Sequence, residues 1–522
     1  MHRKTLAALA AITVVGLALA GCSAGGGGPA EPSDPSVLRI ALSDDMTTFD
    51  PSTVYQYEGN QVLTSVYEGL LEYAGDSSDE IVPLLAEAYT VSDDGLVYTF
   101  DLRDDVVFSD GTPMTAAGVQ QSFERLADPA VESQMGYILA DVASYDSSDD
   151  GTLVITLNNA NSSFLSLLAS PFGPKVINPT VLDENSDDSA LAFLQDNTAG
   201  TGPYAITKVS KGQEYLLERN DDYWGDEPYF ASVSVRIIPD AATQVLQFEQ
   251  GDLDIISGQP ATTVQGLEAS GDYQVVSLPT LQKAQLHLKT TGPLADPELR
   301  DALRSAIDRD TLVTQVWGDY ASTSTQMYPL EVVPDGEAAD EWETDPAPLE
   351  ALADGTTLTL GYLASGTQEK QVAETLQTQW QTAGVSVELV PAQSNDIYSY
   401  SSDIDAAPDM FFESSFPDSA HPDAWSRLFW YSDTANGSGV LNYLLGGTPE
   451  GDALIDQGIS SLDETASDAA YVEAGDLIHD QASYVTIADL QDTFVASSRL
   501  SGFEHWLPCP RTLVLKSLEA NG

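Results

Sequence analysis

The sequence predicts an α/β protein of two or three domains, and three observations carry that expectation. The chain has 522 residues, 42% of them hydrophobic, with 7 Trp, 22 Tyr and 15 Phe, which is enough apolar material for more than one core. Residues 357–389 read as strand, helix and strand. Thr357 to Tyr362 is β-rich, and Gln368 to Ala383 sets Val372, Leu376, Trp380 and Ala383 on one helical face before stopping at Gly384. Val385, Val387 and Leu389 then alternate. A crossover helix of that length makes the two strands parallel neighbours. The third observation is that strand-period and helix-period segments interleave along the whole chain, with no internal repeat.

The N-terminus is an address. His2, Arg3 and Lys4 are basic, and Thr5 to Ala20 is a short apolar run ending in small residues. This is a secretory signal over residues 1–21, too short for a spanning helix. Leu19-Ala20-Gly21-Cys22 resembles the lipobox of bacterial lipoproteins, which implies cleavage before Cys22 and lipidation of its thiol. Acyl chains anchor by burial, and more than one is needed to hold firmly. Ser23 to Ser36, with four consecutive glycines and three prolines, is a flexible tether.

Val37 to Leu42 is a first strand, and Asn60 caps a helix from Gln61 to about Leu71 with Val62, Val66 and Leu70 in register. Asp94-Gly95 is a hairpin turn, after which Leu96, Tyr98, Phe100 and Leu102 share one strand face. Asp110 to Pro113 is another turn. Thr115 caps a helix through Leu126 that turns Val119 and Phe123 inward. Residues 152–157 and 231–238 are strands. Asp296 and Pro297 open a helix whose Leu299, Ala302, Leu303, Ala306 and Ile307 form one stripe.

Charge excludes two partner classes. Lys and Arg number 20 against 81 Asp and Glu, a net −61, so the chain repels nucleic acid and anionic lipid surfaces. Cys22 and Cys509 form neither a disulfide framework nor a zinc motif, and Cys509 is expected to be an inert thiol. A hydrolase needs a nucleophile beside an oriented base, yet no G-x-S-x-G or H-E-x-x-H occurs and the chain holds five His. Asp146 to Gly151 fails as an EF-hand, because Ser148 and Leu157 stand where ligands are required.

Several runs carry a resemblance: Tyr67-Glu68-Gly69-Leu70, Pro83 to Glu87, Ser92 to Arg103, Val107 to Pro113 and Ser122 to Arg125. Gly200-Thr201-Gly202-Pro203-Tyr204, Arg219 to Gly225, Leu246 to Asp254 and Arg300 to Arg309 follow in order. Together they resemble the family-5 extracellular solute-binding proteins, the dipeptide and oligopeptide receptors of ABC importers, over nearly the whole mature chain. The resemblance implies a two-lobed, periplasmic-binding-protein-like (Venus-flytrap) fold with an extra subdomain in the first lobe. Lobe I would span 37–279 and lobe II 280–485, with 486–522 returning to lobe I. It implies no enzyme, cofactor or metal, but a monomer that takes a peptide between its lobes and meets the transmembrane subunits of a permease.

The resemblance also directs attention to residues 416–425, where the family meets the ligand's ammonium with an aspartate. Asp418 is the candidate and Asp423 its rival. His421 contacts ligand or a metal chelate, or caps a helix. Trp425 stacks on ligand or anchors the loop. Tyr55, Gln56 and Tyr57 lie in the early loop where relatives touch the ligand backbone. A sugar oligomer, an opine or a nickel chelate remains open as ligand, since fold does not fix it.

Overall fold

The computed structural model describes residues 34–521, apart from 76, 79, 330, 331, 334–342, 354, 356 and 435–438; at 57, 394 and 395 it describes the backbone alone. The signal, Cys22 and nearly all of the tether therefore lie outside the described residues. The residues from Pro35 onward form one compact unit.

Two long antiparallel strands, Tyr273–Leu288 and Tyr484–Ser497, organise the fold. Their ladder runs from Tyr273 opposite Ser497 to His287 opposite Tyr484, with its register broken between Pro279 and Lys283. On one side of the break the sheet continues through Ile255–Ser257, Val37–Leu42, Ser232–Ile237, Glu214–Arg219 and Tyr204–Ser210. On the other it continues through Met410–Ser415, Thr357–Leu363 and Ser386–Ala392. Two lobes thus share one sheet and are joined by two strands. Val37–Leu42 pairs parallel with Ser232–Ile237, and Thr357–Leu363 pairs parallel with Ser386–Ala392, as a β-α-β unit requires.

Each lobe has its own core. Leu38, Phe49, Tyr215, Leu217 and Val233 centre the first, and Leu286, Leu303, Leu360, Leu376 and Trp380 centre the second. A separate four-stranded antiparallel sheet, in the order Ala86–Val91, Val97–Leu102, Thr152–Leu157 and Val142–Asp149, packs on helix Ala116–Ala127. Thr115 caps that helix by accepting from the Gly118 N–H at 3.2 Å. Val119, Phe123 and Leu126 are buried.

Two expected helices differ. The first runs Tyr57–Leu63, not 61–71. Beyond it the backbone carbonyls are claimed by distant chain: Tyr204 N–H bonds the Ser65 carbonyl, Gly202 that of Val66, Val176 that of Glu68 and Leu84 that of Leu70, at 2.9–3.0 Å. These tertiary bonds override the helical spacing of Val62, Val66 and Leu70. A side chain at Gly200 would collide with the Val66 carbonyl, so this approach requires glycine. The helix from Pro297 ends at Ser305, and Asp308 caps a second one, Arg309–Val316.

The quoted motifs meet at Glu68. It is buried and accepts from Thr201 (2.8 Å), Tyr223 (2.9 Å) and Trp224 (2.9 Å), joining three segments far apart in sequence. Burial raises its pKa, and these donors and Lys516 work against the rise. Arg125 likewise reaches both oxygens of buried Asp50, at 2.9 and 2.5 Å.

The lobes touch. One apolar cluster includes Phe164 and Phe172 from the first and Trp425, Phe429, Trp430 and Tyr471 from the second. Ser162 N–H bonds the Ile459 carbonyl at 2.9 Å, and Ala420 N–H bonds the Tyr73 hydroxyl at 3.0 Å. The cleft is closed.

Candidate functional site

Strand Met410–Ser415 ends at the cleft, and Pro417 prevents it from continuing the ladder. The loop that follows carries Asp418 into the seam between the lobes, where it is 1% exposed. Tyr55 donates to its Oδ1 and Tyr137 to its Oδ2, each at 2.5 Å, and the Ser170 hydroxyl bonds its backbone carbonyl. All three donors come from the first lobe. Among the described residues no Lys, Arg or His forms an ion pair with Asp418. Burial raises its pKa, against which the two phenols pull. Both phenols are themselves pushed well up, by burial and then by Asp418, so they stay neutral donors.

Aromatic rings line the seam. Tyr55 lies 5.3 Å from Phe172, which stacks on Phe416 at 6.0 Å across the lobes. Tyr137 and Tyr398 are 45% and 49% exposed despite their size, so open ring faces border a closed carboxylate. Tyr398 meets Tyr443 edge-on at 6.1 Å, and burial raises its phenol, with Glu413 and Asp418 adding to the rise.

The rest of the loop is occupied by its own structure. His421 is the N-cap of helix Pro422–Phe429: its Nδ1 accepts from the Asp423 N–H at 3.2 Å. Burial lowers its pKa to about 4, with Asp423 opposing, so it is a neutral acceptor. Capping occupies its Nδ1 alone. Asp423 is already paired: Arg427, one turn on, holds both its oxygens at 2.9 and 3.0 Å, and Tyr471 adds a third bond at 3.1 Å. A carboxylate so matched has no need of a ligand ammonium. Trp425 is 0% exposed and packs on Phe429 at 4.5 Å.

Of the early loop, Tyr55 reaches the site and Gln56 is exposed. The side chain of Tyr57 lies outside the described residues, as does Cys22. Sequence reasoning missed Tyr137, Ser170 and Tyr398. Tyr137 and Tyr398 sit on short helical turns without a motif, and Ser170 follows a helix whose other residues are core.

Cys509 is buried in the apolar cluster against which Tyr55 packs. Its sulfur accepts from Thr512 Oγ1 at 3.2 Å and Asn60 Nδ2 at 3.6 Å, and burial pushes its pKa up to about 12. No group of three His, Cys, Asp or Glu among the described residues is arranged to hold a metal ion. No described helix is long and apolar enough to cross a membrane.

Known proteins resemble this chain along nearly its whole length. It is 28% identical over 487 residues to the probable D,D-dipeptide-binding periplasmic protein DdpA of Escherichia coli K12, covering 90% of this chain and 91% of the relative. It is 25% identical over 502 residues to the nickel-binding periplasmic protein of the same strain, covering 90% and 93%. Among solved structures, NikA from Brucella suis with Fe(III)-EDTA superposes with a TM-score of 0.83 at 23% identity, covering 94% of this chain and 100% of that one. DppA from Helicobacter pylori with the peptide STSA superposes at 0.79 and 23% identity, covering 93% and 98%. These two share the two-lobed fold. The family model of the bacterial extracellular solute-binding proteins, family 5, matches residues 80–437, and the chain belongs to that family of binding proteins.

Proposed function

We propose that this chain captures a short peptide between its lobes and hands it to the membrane subunits of an ABC importer. Asp418 carries the reading. It is a buried carboxylate at the seam, met by two neutral phenols and by no cation among the described residues. A carboxylate has about four lone-pair sites, so two phenols leave room for an ammonium. An α-ammonium there would complete the charge pair that a dry site demands. Closure supplies the coupling, because Tyr55, Tyr137 and Ser170 of one lobe reach Asp418 of the other. A ligand that bridges the same groups favours the closed state, and only such differential affinity can drive the hinge.

The lobes are assigned as 37–279 and 280–485, with 486–522 returning to the first. The acylated Cys22 and the tether to residue 36 hold this monomer at the outer face of the cell membrane. The D,D-dipeptide relative supports the peptide assignment, and the nickel-binding relative marks what a different cargo on this scaffold would be.

The test is a thermal-shift and calorimetric screen of protein from residue 23 onward against di- to hexapeptides, their N-acetylated forms, oligosaccharides, opines and nickel chelates. Free peptides raise the melting temperature and acetylated ones do not. Asp418→Ala weakens peptide binding by about 30-fold or more, as expected when a buried charge pair loses one partner. A shift from sugars, opines or chelates alone would overturn the peptide assignment, and unchanged affinity in the variant would remove Asp418 from it.

A further inference from the structure

A second polar patch lies on the second lobe's sheet, on neighbouring strands Tyr273–Leu288 and Met410–Ser415. Gln285 stands directly opposite Glu413, with His287 and Ser415 two residues away on the same face. Their exposures are 2%, 5%, 1% and 6%. The Gln285 Nε2, both ring nitrogens of His287, the Glu413 Oε1 and the Ser415 Oγ are buried without a hydrogen-bond partner among the described residues. His287 Nε2 lies 2.9 Å from Glu413 Oε1, but out of line for a hydrogen bond. An imidazole in either charge state needs a partner at each nitrogen, so this contact does not satisfy the ring. Buried polar groups are matched in native proteins, and a cluster of bare ones marks a place built for something else.

The patch lies on the strand that leads into the Asp418 loop. His287 lies between Tyr484, at 4.3 Å, and Tyr443, stacked at 5.8 Å. Tyr443 in turn meets the half-exposed ring of Tyr398 edge-on at 6.1 Å, so aromatic contacts run from His287 to an open ring face. The local charge is negative. Neither Glu413 nor Asp418 has a Lys or Arg partner among the described residues, and Lys283, next along the strand face, is already held by Asp489. An acidic, acceptor-bearing patch walled by aromatic faces suits a cation.

We propose that Gln285, His287, Glu413 and Ser415 form a side-chain subsite that selects a cationic group, the ammonium or guanidinium of a lysine- or arginine-like side chain. Glu413 provides the countercharge, Ser415 a further acceptor, and Tyr443 and Tyr484 the walls. The inference rests on the interlobe site proposed above.

Calorimetry on the purified full-length protein separates the two. The probes are Ala-Lys-Ala, its isosteric norleucine analogue and agmatine. The lysine peptide binds about 30-fold or more tighter than the norleucine one. Glu413→Gln brings that ratio down to about 1, as loss of the charge pair requires. A wild-type ratio near unity overturns the subsite, and this reading needs no variant to fold. A folded Glu413→Gln protein that keeps the ratio overturns it as well. If no peptide binds but agmatine does, and Glu413→Gln abolishes it, the peptide reading falls while the subsite stands. If neither peptides nor agmatine bind, both fall.

Discussion

Asp418 makes the unliganded protein less stable than it could be. Its folded pKa lies above its unfolded value, so the folded chain holds its proton more tightly. That sign means the penalty is absent below the unfolded pKa and grows as pH rises through the folded one. Asp418→Asn therefore raises the unliganded melting temperature at pH 7 by roughly 2 °C, and the gain shrinks as the buffer is made acidic. Melting curves of both proteins from neutral to acid pH check this; a lower melting temperature for the variant would show that the carboxylate stabilises the empty cleft. At this scale the sequence was legible where a motif surrounded the residue. The loop pointed to Asp418 and Asp423 together, and what separates them, Arg427 one turn along a helix, is a matter of packing. Tyr137 was not legible, because its role depends on the fold bringing it to Asp418 across a separation of 281 positions.

At the scale of elements, local chemistry fixed what tertiary contacts did not override. Thr115 and Asp296 were readable as caps because the side-chain oxygen and the N–H it serves are two or three residues apart. Thr115→Ala should cost about 1 kcal/mol in denaturant unfolding. The stretch after Leu63 misled because its apolar spacing fits a helix while its carbonyls are bonded by Gly202, Tyr204, Val176 and Leu84 from distant chain. The paired strands between the lobes carry a buried ion pair, Lys283 with Asp489, and Ser324 also accepts from the ammonium. Burial lowers the Lys283 pKa, and Asp489 opposes the shift. Lys283→Met strands the carboxylate and is expected to cost about 3–5 kcal/mol, while Lys283→Met with Asp489→Leu recovers most of it. Urea titrations of the single and double variants decide this; equal losses in both would assign the cost to packing.

For the molecule as a whole, the charge of −61 is a repulsive load that folding must overcome. Salt screens it, so the melting temperature should climb between about 10 and 150 mM NaCl, as the Debye length shrinks. A flat response would mean the acids are spaced widely enough to ignore one another. The two-lobed architecture was legible through the family's turn and strand motifs, most of which prove to be scaffold: Glu68 gathers three of them. The closed cleft and the polar patch on its sheet were not legible, since they arise from strand register and from lobes meeting across hundreds of residues.

The buried thiol of Cys509 gives the molecule a clock. With its pKa pushed up to about 12 it is almost wholly protonated at neutral pH, and it is shielded from reagents. Alkylation must then wait for an opening event, and its rate counts how often the packing around Asn60 and Thr512 comes apart. Because Tyr55 packs against the same apolar cluster, any solute that holds the lobes shut should slow the reaction, so a mass spectrometer can rank unlabelled cargoes without a transporter, a membrane or a dye.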